Sequence, residues 1–302
     1  MKDAEMTYKA GIFTVFLCVL FGGNAVAIKM GLTGLGPFTS AGIRFSLAAV
    51  FLFLWARLRQ IHLGLNGKQV RQLSVICVLF TLQVACFHLG LARTTASHGA
   101  LISNILPFLV LILAHFFIPG DRITWRKAVG VFLGFAGVVL LFMDEPDLNA
   151  DLKTGDLIIL CAVVSWSMSA VYLKRIIEAF NPVQVTFYPM AAAVPFLFAG
   201  GLLFDHPMAG QITPLVIQAI LFQALVTSAF GFVGWNTLLQ RYGATSLHTF
   251  IFIIPVSGVA SGVILLAEPL TRHLVAAIAF IVAGIVVVNI RRRKKPPVLP
   301  VQ

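Results

Sequence analysis

Ten stretches of about twenty mostly apolar residues follow one another along this chain, at 10–30, 38–56, 70–91, 96–118, 125–142, 154–175, 182–204, 213–239, 245–266 and 273–290. A helix needs about 20 such residues to cross the hydrocarbon core of a bilayer. Inside that core every backbone N–H and C=O has to be satisfied within the segment or a closed barrel. The runs are continuously apolar, without the alternation of a barrel strand, which needs only about 10 residues. The pattern predicts an all-α membrane protein with ten transmembrane helices. Charged residues are 11% of the chain, less than half their share in soluble domains. The first run is too long for a signal peptide and carries Asn24 and Lys29, so it is expected to stay in the protein.

A net charge of +11 raises the question of nucleic acid, and the placement of the charges answers it. With the N-terminus inside, 17 Lys and Arg fall in cytoplasmic segments, including five from Arg291 to Lys295, against four on the other face: Lys29, Arg93, Lys153 and Arg272. That bias puts both termini in the cytoplasm and leaves no basic face for nucleic acid. The loop between the halves is acidic, with Asp144, Glu145, Asp147 and Asp151.

The chain repeats itself. Aligning Pro107 with Pro255 also pairs Ala96 with Ala244 and Arg93 with Arg241, and one residue of slip then pairs Asp121 with Glu268, Thr124 with Thr271 and Gly137 with Gly284. Earlier in the halves Phe21, Ala25, Lys29 and Pro37 fall on Trp166, Ala170, Lys174 and Pro182. Two halves of five spans each are predicted, 1–150 and 151–290, with a basic cytoplasmic tail at 291–302. An odd number of spans forces the second half to enter from the opposite side, so the repeats are inverted. That architecture places a substrate site near the midplane between the repeats and favours transport by alternating access.

Within the spans, polar residues are the candidates, because a polar group on lipid is costly. Asn24 follows Gly22 and Gly23 near the middle of the first span and either meets a solute or ties two helices together. Lys29 is close enough to the outer end to snorkel. Arg44, about 9 Å from the outer start of its span, either snorkels or anchors a substrate carboxylate. The third and eighth spans carry mid-span amides, Gln83 and Gln223, followed by His88 and by Trp235 and Asn236. Ser165, Ser169 and Tyr172 form a polar stripe on the sixth span beside Trp166. Pro107 and Pro255 interrupt the fourth and ninth spans, with Asn104 one turn before Pro107. Matching proline kinks are natural gating hinges. Gly130, Gly134 and Gly137 make a small-residue stripe for close packing or dimer contact, echoed by Ala279, Ala283 and Gly284.

The strings GGNAVAIKMGLTGLGPFTSAGIRFSLAAVFLFL, GLARTTASHGALISNILPFLVLILA, GDLIILCAVVSWSMSAVYLKR and GATSLHTFIFIIPVSGVASGVILLAEPLT resemble the EamA modules of the drug/metabolite transporter superfamily, over about 10–290. Gly120-Asp121 departs from that family's Gly-Glu, and Tyr188-Pro189 stands where the first half has Ile43-Arg44. Within the superfamily the likeness is greatest to the YddG-type aromatic amino acid exporters, which implies export of phenylalanine, tyrosine and tryptophan.

No Asp or Glu is predicted deep within a span: Asp121, Asp156, Glu178 and Glu268 fall near ends or turns. A proton-exchanging drug antiporter typically embeds such a carboxylate. His88, His98, His115 and His248 remain as proton carriers, three of them near span ends. The expected cavity is therefore neutral and aromatic-lined, served by Asn24, Gln83, His88, Asn104, Trp166, Ser169, Gln223, Trp235 and Phe252, with Pro107 and Pro255 as hinges. It suits flat, amphipathic solutes moved without coupling or with weak coupling. A broader metabolite or drug exporter fits the same pattern, and so does a lipid-handling protein. There is no HExxH and no Ser-His-Asp or paired-carboxylate constellation in the spans, which argues against an enzyme. Cys18, Cys77, Cys86 and Cys161 all fall in spans as small packing residues, with neither a disulfide framework nor a zinc spacing. No metal or cofactor is expected. The expected partners are a small-molecule substrate and the lipid bilayer of a bacterial cytoplasmic (inner) membrane, with the protein acting as a monomer.

Overall fold

The computed structural model describes residues 7–117, 125–142, 150–248, 250–251 and 253–289. The expected cavity residue Phe252, the turn residues Gly120 and Asp121, the loop acids Asp144, Glu145 and Asp147, the basic tail from Arg291 and the side chain of His248 lie outside the described residues. The rest is helical: α1 Tyr8–Leu32, α2 Pro37–Leu58, α3 Gly67–Leu91, α4 Ala96–Ser103, α5 Leu106–Phe117, α6 Trp125–Phe142, α7 Ala150–Ile176, α8 Pro182–Phe204, α9 Pro214–Leu221, α10 Phe232–His248, α11 Ile253–Leu266 and α12 Arg272–Asn289. Between α9 and α10 the chain continues without a break as a π-helix, Phe222–Gly231.

Local chemistry marks where the helices begin. Thr7, Asn66, Thr95, Asn181 and Thr213 each accept a backbone N–H of the first turn, and Asn66–Gln69 and Asn181–Gln184 form reciprocal capping boxes. Pro37, Pro182 and Pro214 open their helices, where the missing N–H has no bond to lose.

Seven helical segments are long and apolar enough to cross a membrane: Tyr8–Leu32, Pro37–Leu58, Gly67–Leu91, Ala96–Phe117, Asp151–Ala179, Pro182–Phe204 and Pro214–Tyr242. The shorter apolar helices α11 and α12, and α6, stand beside them. The surface is that of a protein solvated by lipid: Phe116, Phe196, Leu202, Leu203, Phe204 and Ile264 are exposed, while Ser40, Arg44, His88, Asp156 and Gln223 are buried.

α1 packs on α11 and on α9 with the π-helix; α3 packs on α7 and α8; α2 packs on α8 and the π-helix; α7 packs on α4 and α5; α6 packs on α12. Glycines set the closest crossings. A Cβ on Gly22 would fall 2.0 Å from Ser257 Oγ, between α1 and α11. The Gly130 stripe is likewise an internal face: a Cβ on Gly130 would lie 2.7 Å from the Gly284 carbonyl, and one on Gly284 2.6 Å from the Gly130 carbonyl. Ala279 and Ala283, expected to share that face, point outward, since neighbours on a helix diverge by about 100° and only Gly284 is on the α6 side.

The fourth span is interrupted at Asn104 and Ile105, whose N–H groups bond three residues back to Leu101 and Ile102. Pro107 is the second residue of α5 and Pro255 the third of α11. Each therefore sits in a first turn, at a new start of helix and not within a continuous bent one.

Two loops clasp the antiparallel α2–α8 pair, one at each end. The α8–α9 loop holds the start of α2: Asp205 accepts from the N–H groups of Phe38 and Thr39 and from Thr39 Oγ, and Gly36 N and Gly210 N donate to Met208 O and Gly34 O. The α2–α3 loop holds the start of α8: Asn181 Nδ2, Gln184 Nε2 and Tyr188 Oη donate to the carbonyls of His62, Gly64 and Leu63.

Candidate functional site

Polar side chains inside the bundle gather where α1, α2 and α3 meet the π-helix. Asn24 Oδ1 accepts from Thr227 Oγ at 3.0 Å, and the same hydroxyl lies 2.8 Å from the Gln223 carbonyl. Gln223 is fully buried and donates Nε2 to the Ala27 carbonyl at 2.7 Å, which leaves its Oε1 buried without a partner. Widening the helix to i→i+5 bonding brings Gln223, Thr227 and Ser228 to one side. Phe21, one turn before Asn24, meets Trp235 edge to face with centroids 5.9 Å apart. Of the sequence candidates, the structure thus joins Asn24 to Gln223 through Thr227 and brings Trp235 beside them through Phe21.

Arg44 does not snorkel. It is 3% exposed, donates Nε to Ser228 Oγ at 2.8 Å and sets its guanidinium carbon 4.8 Å from the centre of the Phe45 ring. No carboxylate pairs with it among the described residues. His88, from α3, lies within electrostatic range of that guanidinium. Its Nδ1 is 3.1 Å from the Val84 carbonyl, which can only accept, so Nδ1 carries a hydrogen. His88 Nε2 and Ser40 Oγ, the latter one turn before Arg44, are buried without partners.

The remaining candidates lie elsewhere. Gln83 and Trp166 are partly buried on α3 and α7, and Ser169 is buried on α7. None of the three makes a hydrogen bond to the cluster among the described residues. Asn104 donates Nδ2 to the Ala100 carbonyl and so closes the end of α4. Asn236 donates to Thr186 Oγ at 3.0 Å.

A second polar centre gathers two carboxylates, Asp156 near the start of α7 and Glu268 in the turn after α11. α7 begins at Ala150, earlier than the apolar run implies, and carries Asp156 about 9 Å inward. Asp156 is 3% exposed, accepts from Thr94 Oγ on Oδ1, and places Oδ2 2.9 Å from His98 Nδ1. On the other side of α4, Glu268 accepts from the Ala96 and Ser97 amides at 2.7 and 2.9 Å and from Ser97 Oγ, with Lys29 in electrostatic range. A carboxylate on the free N–H groups of a helix start is favourable. Hydropathy alone does not show the burial of Asp156, because a buried carboxylate satisfied by local donors looks in sequence like an interfacial one.

Comparison with known proteins agrees with this architecture. The EamA-like transporter family model matches twice, over residues 9–143 and 153–290. An uncharacterised transporter of Archaeoglobus fulgidus is 29% identical over 290 residues, covering 92% of this chain and 97% of its own. The "Probable amino-acid metabolite efflux pump" of Escherichia coli is 28% identical over 276 residues, covering 88% of this chain and 90% of its own. A solved crystal structure, 17% identical, superposes with a TM-score of 0.69 over 93% of this chain and 96% of its own, which speaks for the fold alone. The chain is a multi-pass membrane protein and belongs to the EamA-like transporter family.

Proposed function

We propose that this transporter exports aromatic amino acids and related amphipathic solutes across a bacterial cytoplasmic membrane, by alternating access between two inverted five-helix halves in one monomer. The observation that carries the reading is the pairing of hydrogen-bonding groups with flat apolar rings. The Asn24–Thr227–Gln223 knot is one helical turn from the Phe21–Trp235 pair. Amides and hydroxyls held beside aromatic faces suit a solute with a polar end and a ring.

The helix pairings support the ten-span, inverted arrangement. Exchanging the halves turns α1 on α11 into α7 on α4 and α5, and α3 on α8 into the π-helix on α2. It also turns α3 on α7 into α9 on α1, and maps the α2–α8 and α6–α12 pairs onto themselves. The basic bias of the cytoplasmic segments supports both termini inside. The breaks before Pro107 and Pro255 are where each half would flex. Asp156 is occupied by Thr94 and His98, so the mechanism is taken as uncoupled or weakly coupled.

Counterflow in proteoliposomes tests this. Vesicles preloaded with unlabelled phenylalanine should accumulate labelled phenylalanine, tyrosine and tryptophan to a similar extent with and without an imposed pH gradient. Strong pH dependence would remove the uncoupled mechanism. A second reading, a broader metabolite exporter, is favoured by the general "amino-acid metabolite" name of the Escherichia coli relative; equal accumulation of cysteine or leucine would select it.

A further inference from the structure

Three elements turn polar atoms toward one another with their hydrogen-bonding capacity unspent. Arg44 on α2 has five N–H donors; among the described residues it has one hydrogen bond, to Ser228, and no carboxylate. Ser40 precedes it by one turn on the same face, and its hydroxyl is unpartnered. Gln223 and Ser228 are five residues apart in a π-helix and so share a face. Gly31 joins the two walls: a Cβ there would fall 3.1 Å from Gln223 Nε2 and 3.4 Å from Ser40 Oγ. His88 closes the Arg44 end from α3, with Nε2 unpartnered.

Each buried polar atom without a partner costs about 1–3 kcal/mol, and an unpaired buried cation costs more. A packed bundle sustains that cost where a ligand supplies the missing partners. Surplus positive charge at Arg44 calls for an anion. The orphan Gln223 Oε1 can only accept, and the Ser40 hydroxyl can also accept, so both call for a donor. A cation site and acceptor sites on adjoining walls are the complement of a zwitterion.

We infer that Arg44 and Ser228 form the carboxylate half, and Ser40 and Gln223 the ammonium half, of a site for the α-amino-acid headgroup. The inference rests on the amino-acid reading above and deepens it: the headgroup is recognised here, independently of the side chain. Entry requires α2 and the π-helix to part, a movement of the kind alternating access provides.

The test is competition against labelled phenylalanine counterflow in proteoliposomes. The competitors are phenylalanine, leucine, methionine, phenethylamine, which lacks the carboxylate, and 3-phenylpropionate, which lacks the ammonium. In the wild-type protein both truncated compounds should compete about 10- to 100-fold more weakly than phenylalanine, the range that loss of a charged hydrogen bond implies. In Arg44→Gln the gap between phenylalanine and phenethylamine should close, while Arg44→Lys keeps part of it. The wild-type series needs no variant, so misfolding of Arg44→Gln cannot obscure the answer. Phenethylamine competing as well as phenylalanine in the wild type overturns the headgroup site while leaving an aromatic solute. Leucine and methionine competing as well as phenylalanine, with truncated compounds still weak, upholds the headgroup site and removes the aromatic preference. Absence of any amino acid counterflow overturns both.

Discussion

Ala267 has φ of 53°, in the left-handed region where a Cβ costs about 1–2 kcal/mol. The strained residue closes α11: Glu268 N–H bonds six residues back to the Gly262 carbonyl, with Ala267 in the left-handed position where glycine is usual. That turn aims Glu268 at the start of α4. Ala267→Gly should relieve the strain, offset in part by the greater freedom of glycine in the unfolded chain. A net gain of about 0.5–1 kcal/mol, seen as a higher melting temperature in detergent, is expected, and a lower one would show that the turn owes nothing to backbone strain. The aligned first-half position is Gly120, so the repeat alone hints that Ala267 stands at a glycine site. Asp156 is the converse case. Removing its carboxylate with Asp156→Ala would leave Thr94 and His98 buried without their acceptor, a loss of about 3–5 kcal/mol. Asp156→Asn should cost less because an amide oxygen still serves Thr94. If the alanine variant melts with the wild type, the pair does not hold α4 on α7. Nothing in a single sequence separates such a buried acid from an interfacial one, and the direction in which Arg44 turns was equally hidden.

At the scale of helices, starts were legible and internal geometry was not. Asn, Thr and Pro at the caps act through groups one to three residues away, so the sequence carries the whole interaction. The π-helix has no such signature, because one extra residue in a turn leaves an apolar run looking the same. The small-residue stripe was readable as a packing face, but of its echo at Ala279, Ala283 and Gly284 only Gly284 meets α6. That difference supplies a paired prediction. Gly284→Leu forces a side chain into the Gly130 carbonyl and should cost about 3 kcal/mol or more, the upper range for overpacking. Ala283→Leu, on the exposed side, should stay within about 0.5 kcal/mol of wild type. Thermal unfolding in detergent distinguishes them, and equal losses would mean that α6 and α12 do not cross at these glycines.

Across the whole molecule, the long apolar runs disclosed an all-helical membrane protein, since their length is set by bilayer thickness and needs no tertiary detail. The loops that bind the halves together were invisible, because their bonds run between residues more than a hundred positions apart: Asp205 to Thr39, Gln184 to Gly64 and Tyr188 to Leu63. Each clasp fixes the start of α2 or α8 to a loop from the other half, so any rocking of one half against the other has to work around them or open them. The α2 clasp contains an isolated antiparallel bridge between Leu35 and Ala209. Paired residues in such a bridge have Cα atoms about 4.5–5.5 Å apart, within the span of a disulfide. In a variant with Cys18, Cys77, Cys86 and Cys161 replaced by alanine, Leu35→Cys with Ala209→Cys should cross-link on oxidation. If alternating access opens this clasp, oxidation stops counterflow and reductant restores it, while either single cysteine is indifferent to both. Full counterflow in quantitatively cross-linked protein would make the clasp a fixed pivot, and would leave the breaks at Asn104–Ile105 and before Pro255 as the places where the halves flex.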